Sequence, residues 1–261
     1  MECPVNRFKA ALRAGRRLVG LWSGLTSPAA TEIVADAGFD WILIDTEHAP
    51  NELPMVADQL RAAALGTASP VVRPAWNDMV MIKRLLDIGA QTLLVPYVQA
   101  PEQAALAVAA TRYPPRGIRG VASAHRANRY GRIPDYFARA DEEMCVLAQL
   151  ETRAAVDALE EIAAVEGIEG VFIGPSDLAA SLGHPGNNAH PDVRRAIEGA
   201  CRRAQAIGKP IGILAPVEAD ARAYLDIGFA FVAVGSDIVV LRRGCDDLVR
   251  NFKVADGDDD R

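Results

Sequence analysis

Hydrophobic positions along this chain fall into short unbroken runs rather than alternating ones. Most runs follow a stretch of helical periodicity that closes on an acidic residue and a glycine. The pattern appears at ADAGFDWILID (35–45), LDIGAQTLLVP (86–96), VEGIEGVFIG (165–174) and LDIGFAFVAVG (225–235). Glycine just past a helix end adopts a left-handed conformation that costs a residue with a Cβ about 1 kcal/mol. Unbroken runs of β-branched and large apolar residues predict strands buried on both faces. PVVRP (70–74) and KPIGILAP (209–216) follow Gly66 and Gly208 in the same manner. LVGLW (18–22) opens the series, and MCVLAQLE (144–151) sits in its middle.

Eight strands are therefore predicted, at 18–22, 41–45, 70–73, 92–95, 145–150, 170–173, 211–214 and 231–234. Amphipathic stretches separate them. In 191–207, Val193, Ile197, Ala200, Cys201, Ala204 and Ile207 share one face, with Arg194, Arg195, Arg202 and Arg203 mostly opposite. Ser27 and Pro28 read as N-cap and first helical residue, and Thr152 as the cap of the helix after Glu151. Eight alternating β and α units in about 250 residues are the arithmetic of a (β/α)8 barrel, an α/β fold. A doubly wound sheet rarely needs eight parallel strands. One barrel domain is expected over 1–255, followed by a short acidic disordered tail at 256–261.

Composition narrows the class. Half of the 261 residues are hydrophobic and the formal charge is -6, which speaks against a general nucleic-acid binder. The four cysteines lie far apart with no CxxC pair, no signal peptide opens the chain, and no apolar run approaches a bilayer span. A cytoplasmic protein with no membrane partner is the expectation. Of the 28 basic residues only Lys9, Lys83, Lys209 and Lys253 are lysine.

In such a barrel the active site forms at the C-terminal ends of the strands. Strand 2 runs into Asp45, Thr46, Glu47 and His48, and strand 3 ends at Arg73. Strand 5 ends at Gln149 and Glu151, strand 6 enters Gly174-Pro175-Ser176-Asp177, and strand 8 gives Gly235, Ser236 and Asp237. Glu151 and Asp177 are hard oxygen donors suited to Mg2+ or Mn2+, with coordination positions left for water and substrate. A metal so held polarises a carbonyl, and Arg73 supplies guanidinium donors to a developing oxyanion. The backbone N–H groups of the 174–177 turn suit a carboxylate. An unperturbed imidazole changes charge near neutrality, so a histidine such as His48 suits proton transfer, oriented by a carboxylate such as Asp45. Each residue has a structural reading too, as helix cap or ion pair; the joint occurrence at four strand ends favours the catalytic one. His125, His184 and His190 read as surface loop residues.

IDTEHAP (44–50), VVRPAWND (71–78), TLLVPYV (92–98), YPPRGIRGV (113–121), LAQLET (147–152), VFIGPSDLAASLG (171–183), GILAP (212–216) and VAVGSD (232–237) together resemble the HpcH/HpaI aldolase family, in order and over nearly the whole chain. The 4-hydroxy-2-oxoheptanedioate aldolase and 2-keto-3-deoxy-sugar-acid aldolase branch is the most similar, and oxaloacetate-using macrophomate synthase is a related member. The resemblance implies a class II aldolase that cleaves 4-hydroxy-2-oxo acids reversibly to pyruvate and an aldehyde, with Mg2+, Mn2+ or Co2+ as cofactor. It implies Glu151 and Asp177 as metal ligands and the Ser176 and Asp177 amides on the pyruvate carboxylate. Arg73 then steadies the enolate oxygen, and His48 paired with Asp45 handles the hydroxyl proton. Gln149 matches a position beside the metal, Leu214 and Trp22 match pocket positions, and Arg126 matches one supporting the His–Asp pair. Asp87 matches a position that approaches from a neighbouring subunit. A hexamer built as a trimer of dimers, with the last helix (about 236–252) exchanged, is implied as well. Ser176 departs from the family pattern, which often has alanine there.

The lysine count is an independent check. A class I aldolase needs a Schiff-base lysine in the barrel mouth, and none of the four lysines is placed there. Residues 112–133 carry six arginines and no acid. Three roles are weighed for this insertion: gathering anionic substrate into the mouth, pairing with acids such as Asp45, or packing at a subunit contact. RNA binding through Tyr113 and Tyr130 is disfavoured by the acidic chain. Two alternatives to the aldolase remain: oxaloacetate decarboxylation at the same site, and a non-catalytic keto-acid-binding barrel.

Overall fold

Eight parallel strands close on themselves in the order of the sequence, β1 to β8, in the computed structural model of the chain, which describes residues 1–253. The strands are β1 Leu18–Ser23, β2 Trp41–Asp45, β3 Ser69–Arg73, β4 Thr92–Val95, β5 Cys145–Leu150, β6 Ile168–Ile173, β7 Ile211–Leu214 and β8 Phe231–Ser236. Every boundary falls within two residues of its prediction. The predicted acidic tail lies outside the described residues. The helices are α1 Arg7–Arg13, α2 Pro28–Asp36, α3 Leu53–Ala63, α4 Met79–Asp87, α5 Pro101–Thr111 and α6 Tyr136–Arg139. They continue with α7 Arg153–Asp157, α8 Leu159–Ala163, α9 Pro175–Ser181, α10 Pro191–Ala206, α11 Glu218–Asp226 and α12 Asp237–Lys253. Among the described residues no helix is long and apolar enough to cross a membrane.

Local chemistry sets these boundaries. The Ser27 side chain accepts the Ala30 N–H ahead of Pro28, and the Thr152 hydroxyl oxygen accepts the Ala155 N–H. The recurrent glycines Gly38, Gly89, Gly167 and Gly228 have φ of 100°, 102°, 101° and 103°. Four helices thus stop by one device and hand the chain to the next strand at the same angle.

The barrel is filled, not hollow. Leu18, Trp41, Leu43, Val71, Leu147, Phe172 and Phe231 point inward. Gly20 and Gly212 give room to the largest of them, since a Cβ at either would lie 2.3 Å from the ring of Trp41 or Phe231. Sequence reasoning did not find α1, which plugs the strand-start end. Its Phe8 packs edge-on against Trp41 and Phe231 at 6.0 and 5.6 Å. Asn6 caps α1 and donates to Thr92 Oγ1 at 2.9 Å, which ties the plug to β4.

The arginine-rich insertion is corrected by the topology. It joins the end of α5 to the start of β5, so it lies at the strand-start end, opposite the mouth. Its arginines are engaged there. Arg112 pairs with Glu166, Arg116 with Asp141, and Arg119 with Asp87. The Arg119 guanidinium also lies 4.5 Å above the Tyr113 ring. In one chain the insertion neither gathers substrate into the mouth nor pairs with Asp45.

Removing the plug tests this account. Phe8→Ala is expected to lower stability by about 3–5 kcal/mol, the usual cost of emptying a buried aromatic site. The check is a urea midpoint well below wild type with kcat/KM nearly unchanged, because Phe8 lies at the end opposite the mouth.

Candidate active site

Arg73, 5% exposed, is the centre of the mouth. Its Nε and Nη2 donate to the two oxygens of Asp45 at 2.8 and 2.6 Å, and Nη1 lies 2.8 Å from Glu47 Oε2. The guanidinium carbon sits 4.9 Å from the centre of the Trp22 ring, whose Nε1 donates to Asp45 Oδ2 at 3.1 Å. The register of β2 against β3 sets Asp45 beside Arg73. Burial would by itself raise the Asp45 carboxyl, but the bond and charge of Arg73 outweigh it and hold the group below the usual carboxylate range. Glu47 behaves the other way. Burial, with the charges of Asp45 and Asp177, raises it despite Arg73. A buried polar chain supports the β2 end: Asn51 Nδ2 donates to the Asp45 carbonyl at 2.7 Å, and Gln59 Nε2 donates to Asn51 Oδ1 at 2.6 Å.

His48 is not paired with Asp45 through its ring. The Asp45 carboxylate is consumed by Arg73, Trp22 and the backbone N–H groups of Glu47 and His48. The imidazole is 66% exposed at the rim, and its Nε2 is 3.9 Å from Glu47 Oε2. Glu47 was not singled out from sequence as a site residue. Its place between Arg73 and His48 makes it the carboxylate that faces the histidine.

Across the mouth, Glu151 is 2% exposed. Gln149 Nε2 donates to its Oε2 at 2.6 Å and the Tyr97 N–H to its Oε1 at 2.7 Å, so its partners are an amide and a backbone group. Burial pushes its carboxyl up to about 7, with the Gln149 bond pulling down and the Glu47 charge adding to the rise. Tyr97, with φ of 54°, was also missed from sequence; its strained backbone aims its N–H at Glu151. Gly174 leaves space over the pair, because a Cβ there would lie 2.6 Å from Glu151 Oε2 and 3.0 Å from Gln149 Nε2. The exposed side chains of Ser176 and Asp177 follow in the first turn of α9, and half-buried Leu214 ends β7. The Asp177 charge is felt at Glu151. A buried carboxylate without a basic partner, an orphaned Gln149 Oε1 and a second carboxylate nearby form a donor set that fits a hard divalent cation.

Arg126 and Asp87 do not join this mouth. Arg126 Nη1 donates to the Ile88 carbonyl at 2.7 Å, and Asp87 accepts from Arg119 at 2.9 Å. Both lie where α4 hands over to β4, at the strand-start end. The expected support of the histidine by Arg126 is therefore not made within one chain. Asp237 organises the loop after β1, accepting the Gly24 and Leu25 N–H groups at 2.9 and 3.1 Å. The lysines are elsewhere, with Lys9 on the Met144 carbonyl and Lys209 on the Ile168 carbonyl at the strand starts.

Because its folded value is depressed, Asp45 contributes stability that is complete above its unfolded value, near 4, and is lost as pH falls through the folded one. Asp45→Asn strands part of a buried charge and is expected to cost about 3–5 kcal/mol. Chemical denaturation between pH 7 and 3 checks this: the variant should start lower and fall less steeply than wild type.

The chain matches the HpcH/HpaI aldolase/citrate lyase family over residues 18–243. It is 57% identical over 252 residues to a pyruvate aldolase of Rhizobium etli, covering 97% of this chain and 99% of that one. It is 53% identical over 248 residues to the 5-keto-4-deoxy-D-glucarate aldolase of Escherichia coli K12, covering 95% and 97%. A crystal structure of a family protein from Burkholderia cenocepacia superposes with a TM-score of 0.92 at 41% identity, covering 95% of this chain and 100% of the other. The chain belongs to the HpcH/HpaI aldolase/citrate lyase family and is a carbon–carbon lyase of its aldolase kind.

Proposed function

We propose that the protein is a divalent-metal-dependent pyruvate aldolase that reversibly cleaves 4-hydroxy-2-oxo acids, among them deoxy sugar acids, to pyruvate and an aldehyde. The observation that carries this reading is Glu151, a buried carboxylate whose hydrogen-bond partners are an amide and a backbone N–H, in a mouth that also holds the buried Arg73 guanidinium. The names of the two similar aldolases support the substrate class. Glu151 and Asp177 would hold the cation, which on binding polarises the 2-oxo group and supplies Lewis-acid chemistry.

This chain's residues do the rest. The N–H groups of Ser176 and Asp177 in the first turn of α9 lack intrahelical acceptors and suit the substrate carboxylate. Cleavage breaks the C3–C4 bond and sends its electron pair toward the C2 oxygen, while the C4 hydroxyl loses its proton and becomes the aldehyde. Arg73 neutralises the charge gathering on the C2 oxygen, held rigid by Asp45, Glu47 and the Trp22 ring. His48 takes the C4 hydroxyl proton, directly or through water, with Glu47 Oε2 3.9 Å from its Nε2. Gln149 fixes the orientation of Glu151, and Leu214 and Trp22 give the pocket apolar walls. Arg126 and Asp87 would serve only a neighbouring subunit's mouth. A homo-oligomer such as a trimer of dimers would supply that neighbour and cover the exposed apolar residues of α12, among them Val240, Leu241 and Phe252.

Pyruvate release from a panel of 4-hydroxy-2-oxo acids, before and after chelation and metal readdition, tests the reading. Activity that survives complete metal removal would overturn the metal-dependent assignment, and Asp177→Ala should abolish turnover with the fold retained. His48→Ala separates the two halves of the mechanism. It should slow aldol cleavage by about 10²–10⁴, the usual worth of a positioned base. Oxaloacetate decarboxylation, which has no hydroxyl proton to remove, should persist in the same variant.

A further inference from the structure

Beyond this mouth, residues 182–190 join α9 to α10 as a closed loop with an unusual base. The rings of His184 and His190 stack with centroids 3.4 Å apart and planes 16° from parallel. Both face Asp192 in the first turn of α10: His184 Nε2 is 3.4 Å and His190 Nδ1 is 3.7 Å from Asp192 Oδ2. One donor atom from each of the three residues lies within 4.8 Å of the other two.

These distances have a chemical meaning. A tetrahedral ion with bonds of about 2.0–2.1 Å holds its ligand atoms about 3.4 Å apart, so the 3.4 Å separation matches one edge and the 3.7 Å separation lies close to a second. His190 Nδ1 accepts the Asp192 N–H at 3.2 Å, which leaves a lone pair rather than a proton on that nitrogen. Arg195 engages the other Asp192 oxygen, Oδ1, and leaves Oδ2 to the imidazoles. A helix cap needs only one of the two rings. The second, stacked on the first and aimed at the same oxygen, is what a cap does not explain.

We infer that His184, His190 and Asp192 form a second metal site, separate from Glu151 and Asp177, for a borderline divalent ion such as Zn2+, Ni2+ or Cu2+. Two imidazoles and one carboxylate select such ions over Mg2+, whereas the all-oxygen pair in the mouth has the opposite preference. Binding would open the stack of the half-buried rings, so that their in-plane lone pairs converge on one ion, and would exchange the His190 cap bond for a bond to the metal. The ion ties both ends of the loop together. Asn188, within that loop, donates to Ser176 Oγ at 3.2 Å, so the loop bears directly on the mouth.

The test uses a Glu151→Gln/Asp177→Asn chain, in which the mouth no longer competes for metal, titrated with Zn2+ in a calorimeter. One Zn2+ per chain is expected, undisplaced by excess Mg2+. Adding His184→Ala should weaken it by at least about tenfold, since even outer partners of metal ligands are worth that much. Should the double substitution not fold, Cu2+ bound to the wild-type chain in excess Mg2+ serves instead. Its electron paramagnetic resonance spectrum should show two nitrogen ligands, falling to one in His184→Ala. Zn2+ binding unaffected by His184→Ala, displacement by Mg2+, or a Cu2+ spectrum unchanged by the substitution would overturn the site without touching the aldolase reading.

Discussion

Arg73 carries a charge that the barrel buries almost completely, and the ends of β1, β2 and β3 are arranged around neutralising it. A guanidinium removed from water needs its donors satisfied as well as its charge opposed. Asp45 takes two donors in the fork geometry that a carboxylate matches, Glu47 takes a third nitrogen, and the Trp22 ring covers the face. Asn51 and Gln59 then hold the backbone that carries Asp45. The result is a rigid positive group whose remaining N–H bonds have a fixed direction, which is what stabilisation of a developing oxyanion requires.

The opposite imbalance exists a few side chains away. Asp45, Glu47, Glu151 and Asp177 bring four carboxylates to a mouth whose one buried cation, among the described residues, is Arg73. Glu151 bears the consequence, with its carboxyl raised to about 7 by burial and the neighbouring acids. A divalent cation there would relieve both the desolvation and the repulsion, and this charge balance supports the proposed metal-dependent reading. The shortage of lysine belongs to the same logic: the lysine amines near the barrel, Lys9 and Lys209, close carbonyls at the strand starts and leave the mouth to carboxylates.

The opposite end of the barrel is built for stability and carries different chemistry. There α1 seals the interior with Phe8, and the 112–133 insertion lays its arginines on acids and carbonyls. Any connection from a helix to the next strand must lie at this end. The insertion's placement was therefore implicit in its position between α5 and β5, and reading its charge without that topology pointed to the wrong face.

The sequence by itself determined the eight strands, their parallel order and the residues delivered to the mouth. Unbroken apolar runs, capping residues and left-handed glycines act locally, and a parallel barrel sends every strand's C-terminal residue to one end. Asp45, Arg73, Gln149, Glu151 and the Gly174–Asp177 turn were legible for that reason. Only the tertiary structure decided who pairs with whom. From sequence Asp45 was expected to orient His48 or to pair with the insertion's arginines, and the buried bidentate guanidinium of Arg73 took it instead, because burial demands full neutralisation and an exposed imbalance of charge does not. Glu47 and Tyr97 became site residues through packing across strands, and α1 became a plug because a seven-residue helix has too short a pattern to show its face. His184 and His190 read as surface loop positions, and Asp192 fell in a helical stretch, until the turn after α9 brought both rings to one oxygen of Asp192. Convergence of groups separated along the chain is a property of the closed fold, and no local periodicity encodes it.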